Sequence, residues 1–214
     1  MKLSNRLQTI CDLVEEHDSI IDVGCDHALI DIYLVLYKHV TAIAADVNQN
    51  ALAIAQENIR KYQLEDKIKT VLTDGVTGLD ITNKVIIICG MGTQTIIDII
   101  KNIHSYTMKE MIIQSNHDIS RLRKFLEQEG FTIVDEVYLE ERGKSYIIMK
   151  VKVGRTVYHE VDYLVGPIIK KKYPEYVRKY FEKQKQILSQ IPENQQSKRM
   201  QLVKIMEQIE KELL

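Results

Sequence analysis

Apolar positions along this chain recur with two periods, and the switches between them mark out its elements. Ser4 precedes a stretch in which Leu7, Ile10, Leu13 and Val14 share one helical face, which predicts a capped helix to about residue 16. Residues 19–24 form a short β-rich run ending in a glycine turn, and residues 30–37 a helical apolar stretch. Residues 41–46 read as a second strand. Asn48 then caps a helix with Leu52, Ala55 and Ile59 inward. A third strand, 67–72, ends at Asp74-Gly75. A fourth, 85–89, is nearly all β-branched, as befits a strand buried on both faces of a parallel sheet. A helix over 95–103, a strand over 110–115 and a helix over 119–129 follow, the last capped by Asp118 and ended by Gly130. Residues 131–139 and 145–153, joined by the turn 140–144, make a β-hairpin.

Strand and helix thus alternate five times before the hairpin. Such alternation predicts an α/β fold, a doubly wound, mainly parallel sheet with helices on both faces. The closing hairpin distinguishes this Rossmann-like layout from the six parallel strands of most nicotinamide enzymes and matches that of class I methyltransferases. Beyond Gly166-Pro167 the pattern changes. Pro174 and Pro192 bracket two segments rich in Lys, Gln and Glu. Val177, Phe181, Gln184, Ile187, Leu188 and Ile191 form a stripe on the first. Leu202, Ile205, Met206, Ile209 and Leu213 form an a/d seam on the second. The short linker between them predicts an antiparallel helical hairpin, a coiled-coil-like domain. The expected division is 1–155 and 156–214.

Charge adds to this picture through its distribution. The chain's formal charge is only -1, yet from Lys150 onward 14 Lys+Arg stand against 8 Asp+Glu. A basic module beside an acidic one points to a polyanionic partner. Lys170, Lys171, Lys172, Arg178 and Lys179 cluster with Tyr173, Tyr176 and Tyr180 interleaved. Lys2, Arg6 and Lys144 are further candidates for binding RNA phosphates. A solvated helix face is the alternative for any single lysine. Three cysteines, odd in number and without a CxxC, argue against a disulfide framework or zinc knuckle. No His, Cys and carboxylate set has metal-ligand spacing, so no metal is expected. The first residues lack the apolar core of a signal peptide, and the longest apolar runs are too short to span a bilayer. A cytoplasmic monomer with no membrane contact is the expectation.

Chemistry concentrates at predicted strand ends. Asp22-Val23-Gly24-Cys25-Asp26-His27-Ala28 joins a strand to a helix, and Gly24 allows a sharp turn and close approach of a ligand. Asp26 stands where a dinucleotide fingerprint has its second glycine, and a carboxylate there would repel pyrophosphate. A zwitterion with an ammonium group suits Asp22 or Asp26 better; a plain turn capped by Asp26 is the alternative. Asp46 with Val47 ends the second strand, where a carboxylate can take both ribose hydroxyls or cap the next helix. Asp74-Gly75 offers an acceptor for an adenine amino group, or an ordinary turn. At the fourth strand's end, Gly90, Met91 and Gly92 thin the wall between two ligands, while Cys89 is read as strand packing in preference to a nucleophile. Gln114-Ser115-Asn116-His117-Asp118 lies on the same rim.

These segments resemble a known family. LSNRLQTICDLV, DVGCDHALI, ICGMGT, IIQSNHD, VYLEERGKSY and YLVGP occur in that order, and over essentially the full length the chain is similar to the TrmK family of bacterial tRNA adenine-N1 methyltransferases. The resemblance implies S-adenosylmethionine (SAM) as methyl donor and 1-methyladenosine at tRNA position 22 as product. It implies cofactor contacts at Gly24, Asp26, His27, Asp46, Asp74, Gly75, Gly90 and Met91; Asp22, Cys25, Val47 and Gly92 join them from the residue reading. Asp26 is the candidate for stabilising charge on the base and Asn116 for orienting it. Three departures stand out: Cys89 and Thr93 where many relatives look like alanine and glycine, and Ser115 where proline is expected. A methyltransferase for a non-RNA substrate and a non-catalytic scaffold with a docking coiled coil are the competing readings.

Overall fold

The computed structural model describes residues 1–103 and 107–213. The chain separates into two compact units, Met1–Arg155 and Thr156–Leu214.

The first unit is built on one seven-stranded sheet. Helix α1 (Asn5–Asp12) leads into β1 (Ser19–Val23), α2 (Leu29–Lys38), β2 (Thr41–Asp46), α3 (Gln49–Lys61) and β3 (Ile68–Leu72). Then come β4 (Val85–Met91), α4 (Thr93–Lys101), β5 (Glu110–Ser115), α5 (Ile119–Gln128), β6 (Phe131–Glu141) and β7 (Lys144–Val153). The order across the sheet is β3-β2-β1-β4-β5-β7-β6. β1 to β5 are parallel, and β7 runs antiparallel to both neighbours. Ile20, Ile21, Val85, Ile86, Ile87, Ile88, Ile112 and Ile113 are all buried, so the central strands are apolar on both faces.

Sequence punctuation explains most boundaries. Ser4 Oγ accepts from the Leu7 N–H, Asn48 Oδ1 from the Asn50 N–H and Asp118 Oδ1 from the Arg121 N–H. Helix α1 stops four residues short of the expected end. Lys38 Nζ donates to the carbonyls of Asp12 and Val14 (3.3 and 2.5 Å), and His17 N–H to the Lys38 carbonyl, so the chain turns toward β1. Val14 stays buried as expected, but from this turn. The five-fold alternation is broken once: residues 73–84, between β3 and β4, contain turns and no helix. Gly75, Gly78 and Asn83 all have positive φ there, and buried Val76 and Ile81 pack in place of a helix.

Charges brace the hairpin. Arg123 of α5 and Glu136 of β6, both fully buried, pair at 2.8 Å. Buried Glu110, at the start of β5, meets Lys150 at 2.9 Å and Lys152 at 3.4 Å on β7.

In the second unit, α6 (Glu160–Leu164) and α7 (Ile169–Lys172) precede the long helices α8 (Pro174–Gln190) and α9 (Gln196–Leu213). Helices α8 and α9 pack on one another, with Val177, Phe181, Leu202 and Ile209 buried. The two short helices were absent from the sequence reading. They are held by buried Asp162, which accepts from the His159 N–H at 2.9 Å and pairs with Lys170 at 2.6 Å.

Replacing Arg123 by Met leaves Glu136 buried without its guanidinium. Urea denaturation of the variant is expected to show a loss of about 3–5 kcal/mol, most of it recovered when Glu136 is also replaced by Leu.

Candidate active site

The sheet order reverses between β1 and β4: from β1 the chain builds outward to β2 and β3, and from β4 to β5 and the hairpin. Ligand sites of open α/β sheets lie outside the strands' carboxyl ends at such a reversal. A cavity of about 350 Å³ opens there, lined by Arg6, Asp22, Gly24, Cys25, Asp26, His27 and Gly90, with Leu7, Leu29, Ile30 and Cys89 supplying apolar wall. That volume suits a small organic ligand.

The loop from β1 to α2 is held in an uncommon shape. Gly24, Asp26 and Ala28 all have positive φ (73°, 50° and 53°). Hydrogen bonds to β2 fix it: the Gly24 and Cys25 N–H groups donate to the Ala45 carbonyl at 2.8 and 3.1 Å. The Asp26 N–H donates to Asp46 Oδ2 at 3.3 Å, while Asp46 Oδ1 accepts from the Asn48 N–H at 2.8 Å. The Asp46 carboxylate is thereby oriented with lone pairs to spare. A methyl group on Gly24 would sit 2.2 Å from Met91 Cε, so the Met91 side chain occupies the space that any Cβ would need. Asp26 does not cap α2; its exposed carboxylate stands 3.5 Å from His27 Nε2, and the N-cap of α2 is Ala28, with no side-chain cap bond.

Asp22 forms the floor and is 4% exposed. Its neighbour is Asp31 of α2, 0% exposed. Burial, together with the Asp31 charge, pushes the Asp22 carboxyl well up; burial likewise raises Asp31, to about 7, against the opposing effect of its hydrogen bond with Asp22. The two carboxyls titrate as a pair. Burial also pushes the Cys11, Cys25 and Cys89 thiols up, which keeps them protonated. Cys89 Sγ, 3.6 Å from the Ile112 carbonyl, is packing, and no thiolate is available there.

A second cavity, of about 580 Å³, adjoins the first at Arg6 and Gly90; Ser115, Asn116, His117, Lys144, Ser145 and Tyr146 complete it. Helix α1 is anchored here by the Asn5 N–H on Glu141 Oε1 at 2.7 Å. Arg6 donates to Gln114 Oε1 at 2.8 Å and lies 5.6 Å from the Tyr146 ring centroid. Buried Gln114 in turn donates to Asn116 Oδ1 at 3.1 Å, and Asn116 Nδ2 donates to the Gly90 carbonyl at 2.7 Å. Asn116 is thus locked in orientation, keeping one N–H and one lone pair for a ligand. Thr93 and Ser115 meet here: Thr93 Oγ1 and Ser115 Oγ are hydrogen-bonded at 2.8 Å, and both hydroxyls reach the His117 carbonyl.

Several sequence candidates lie elsewhere. Asp46, Met91, Asp74, Gly75 and Gly92 line neither cavity; Asp46 and Met91 touch the β1–α2 loop from behind, Asp74 is exposed, and Gly75 packs on Ile99. Val47 is 73% exposed. Arg6 and Lys144, grouped in sequence with the RNA-binding lysines, line the second cavity, whereas Lys2 is exposed outside both. Lys170 is engaged with Asp162; Lys171, Lys172, Arg178 and Lys179 are exposed on α7 and α8. Asp31 and Tyr146 are the residues whose place in the site sequence reasoning did not assign. The run of acidic groups over an apolar wall fits a ligand with a cationic head. Among the described residues, no group of three or more His, Cys, Asp or Glu could hold a metal, and no helix is long and apolar enough to cross a membrane.

Residues 3–149 match the family model for a methyltransferase domain. The chain is 32% identical over 184 residues to the tRNA (adenine(22)-N(1))-methyltransferase of Bacillus subtilis, covering 80% of this chain and 76% of that one. Among solved structures it is similar to M. capricolum TrmK in complex with the cofactor product S-adenosyl-homocysteine, with a TM-score of 0.86 and 29% identity over 100% of this chain and 98% of that one. It also resembles the m1A22 tRNA methyltransferase TrmK of B. subtilis, with a TM-score of 0.83 and 26% identity over 98% of both.

The acid pair has a measurable effect on stability. Above the ordinary carboxylate pKa the unfolded chain has released protons that the folded pair retains, so this pair's contribution falls as pH rises. Asp31→Asn is expected to melt higher than the wild type at pH 8, by about 2–4 °C for each kcal/mol relieved, with the difference closing toward pH 4 in scanning calorimetry.

Proposed function

Because the chain belongs to the TrmK family of tRNA (adenine-22-N1)-methyltransferases, we propose a division of labour in which the first cavity holds the methyl donor and the second the base. The protein is a SAM-dependent tRNA methyltransferase that forms 1-methyladenosine at position 22. One observation carries the division: two cavities at the carboxyl ends of the strands adjoin at Gly90 and Arg6, so a ligand in each would be neighbour to the other where the strand end itself carries no side chain and Arg6 stands beside it.

SAM, when bound, supplies a methyl group on a positively charged sulfur. Adenine N1 carries an in-plane lone pair at neutral pH, so the protein has no need of a strong base or a covalent nucleophile. This accords with three protonated thiols and no triad among the described site residues. Its task is alignment. Asp22, at the floor, accepts from the donor's ammonium group, and Asp46, pinned by two backbone amides, accepts from its ribose. Gly24 and Gly90 let both ligands approach the backbone. In the second cavity the Arg6–Gln114–Asn116 chain presents the remaining N–H and lone pair of Asn116 to the base edge. Tyr146 offers a ring for stacking, as unpaired bases require. N1 lies on the pairing edge, so the base enters flipped or unpaired. As the base becomes cationic, the Asp26 carboxylate at the mouth stabilises the developing charge.

The helical unit, residues 156–214, holds the tRNA through phosphates, with Lys171, Lys172, Arg178 and Lys179 as contacts. A tRNA substrate supports a cytoplasmic location, and the enzyme so proposed acts as a monomer.

Labelled methyl transfer to tRNA transcripts carrying adenine or guanine at position 22 tests the reading: the adenine transcript is expected to be labelled and the guanine transcript blank, and equal labelling would refute the site. Lys171→Ala with Arg178→Ala is expected to raise KM for tRNA and to lower the slope of log KM against log salt by about 2, with SAM affinity unchanged by calorimetry.

A further inference from the structure

Helix α2 carries an acid where its packing calls for an apolar side chain. Asp31 lies in the first turn with Ile30, Ile32 and Leu34 buried around it in sequence, and it is itself 0% exposed. No other residue's amide, hydroxyl or cation donates to either of its carboxyl oxygens. Its partner is the carboxyl of Asp22, with which it shares a hydrogen bond and which lines the SAM cavity. Two carboxyls can be hydrogen-bonded to each other only through a proton, and two buried anions in contact do not both stay ionised.

The other groups facing the pair do not neutralise it. Asp46 of β2 adds negative charge to Asp22. Cys11 of α1, Cys25 of the loop and Cys89 of β4 feel the same acids and remain thiols. The nearby cations bear on those thiols, Lys38 on Cys11 and Arg6 on Cys89. Asp26 and His27, at the mouth, are exposed. The free crevice is therefore an acidic pocket that carries its own proton.

We propose that Asp31 is a positioning residue that holds a proton on Asp22, and that SAM enters the crevice in exchange for that proton. The proposal rests on the cofactor reading above. The proton leaves to solvent, the pair passes from one negative charge to two, and the ammonium of the incoming molecule supplies the compensating positive charge. Asp31 touches neither ligand; it acts through Asp22. Since the free protein holds more protons than the complex, affinity rises with pH, by up to about tenfold per unit while the pair is protonated.

Isothermal titration of the full chain with SAM at pH 7 in phosphate, HEPES and Tris tests this. The observed enthalpy is expected to vary linearly with the buffer's ionisation enthalpy, with a slope corresponding to release of up to about one proton per cofactor. Asp31→Asn keeps an amide donor for Asp22 without a shared proton. It is expected to bind SAM with the slope collapsed, more tightly than the wild type at pH 6, the gap closing by pH 8.5. A merely structural role would weaken binding equally at all pH values. Zero slope in the wild type, or a wild-type slope in Asp31→Asn, overturns the proposal while leaving the cofactor reading intact; no SAM binding by the wild type overturns both. Should Asp31→Asn not fold, the wild type still decides: the infrared carbonyl stretch of a protonated carboxyl is expected in the free protein and lost on adding SAM, and its persistence in the complex overturns the exchange.

Discussion

Everything in the catalytic unit depends on one topological constraint, the reversal of strand order at β1 and β4. Adjacent strands whose onward connections diverge leave their carboxyl ends uncovered. Gly24 and Gly90 sit at those ends, and both have positive φ. The floor between them is a buried carboxyl pair, and the walls come from α1, the β1–α2 loop and the hairpin tip. Helix α1 precedes the sheet in sequence yet delivers Arg6 to both cavities because its first turn is tied to the end of β6. A reaction that needs little beyond alignment suits this arrangement of rigid strand ends and short polar chains, whose thiols stay protonated.

Much of this was legible from periodicity. Strands β2 and β5 and the inward face of α3 fall where the alternation of apolar residues puts them, because side chains there answer to one buried surface. The missing helix between β3 and β4 was not legible as such; its glycines and turn residues signal a loop, but a count of strand–helix repeats runs past them. Helix α1's early end was hidden because Lys38, a residue 26 positions beyond Asp12, terminates it. The site shows the same split. Asp22, Gly24, Asp26 and Asn116 lie at strand ends and could be read locally. The Arg6–Gln114–Asn116 chain spans more than a hundred residues, and nothing in the local pattern at Arg6 reveals which polar group it will meet. Asp31 reads in sequence as one polar position in an apolar helix; only the folded chain brings it beside Asp22.

Charge counted along the chain proved a coarser guide than charge placed in space. Lys150 and Lys152, which open the basic stretch, belong to β7 and are spent on Glu110. Lys170 serves the interior of the helical unit through Asp162. What remains on the surface of α7 and α8 is a smaller set of cations set among tyrosines. Such a set suits a partner recognised by its backbone and shape more than by its sequence.

The hydroxyls of Thr93 and Ser115 and the His117 carbonyl form one small cluster that ties the start of α4 to the end of β5. Each hydroxyl keeps that carbonyl as a partner when the other is removed, so neither is left alone in the interior. The rim of the second cavity is therefore fastened redundantly, and either position can change without orphaning its neighbour.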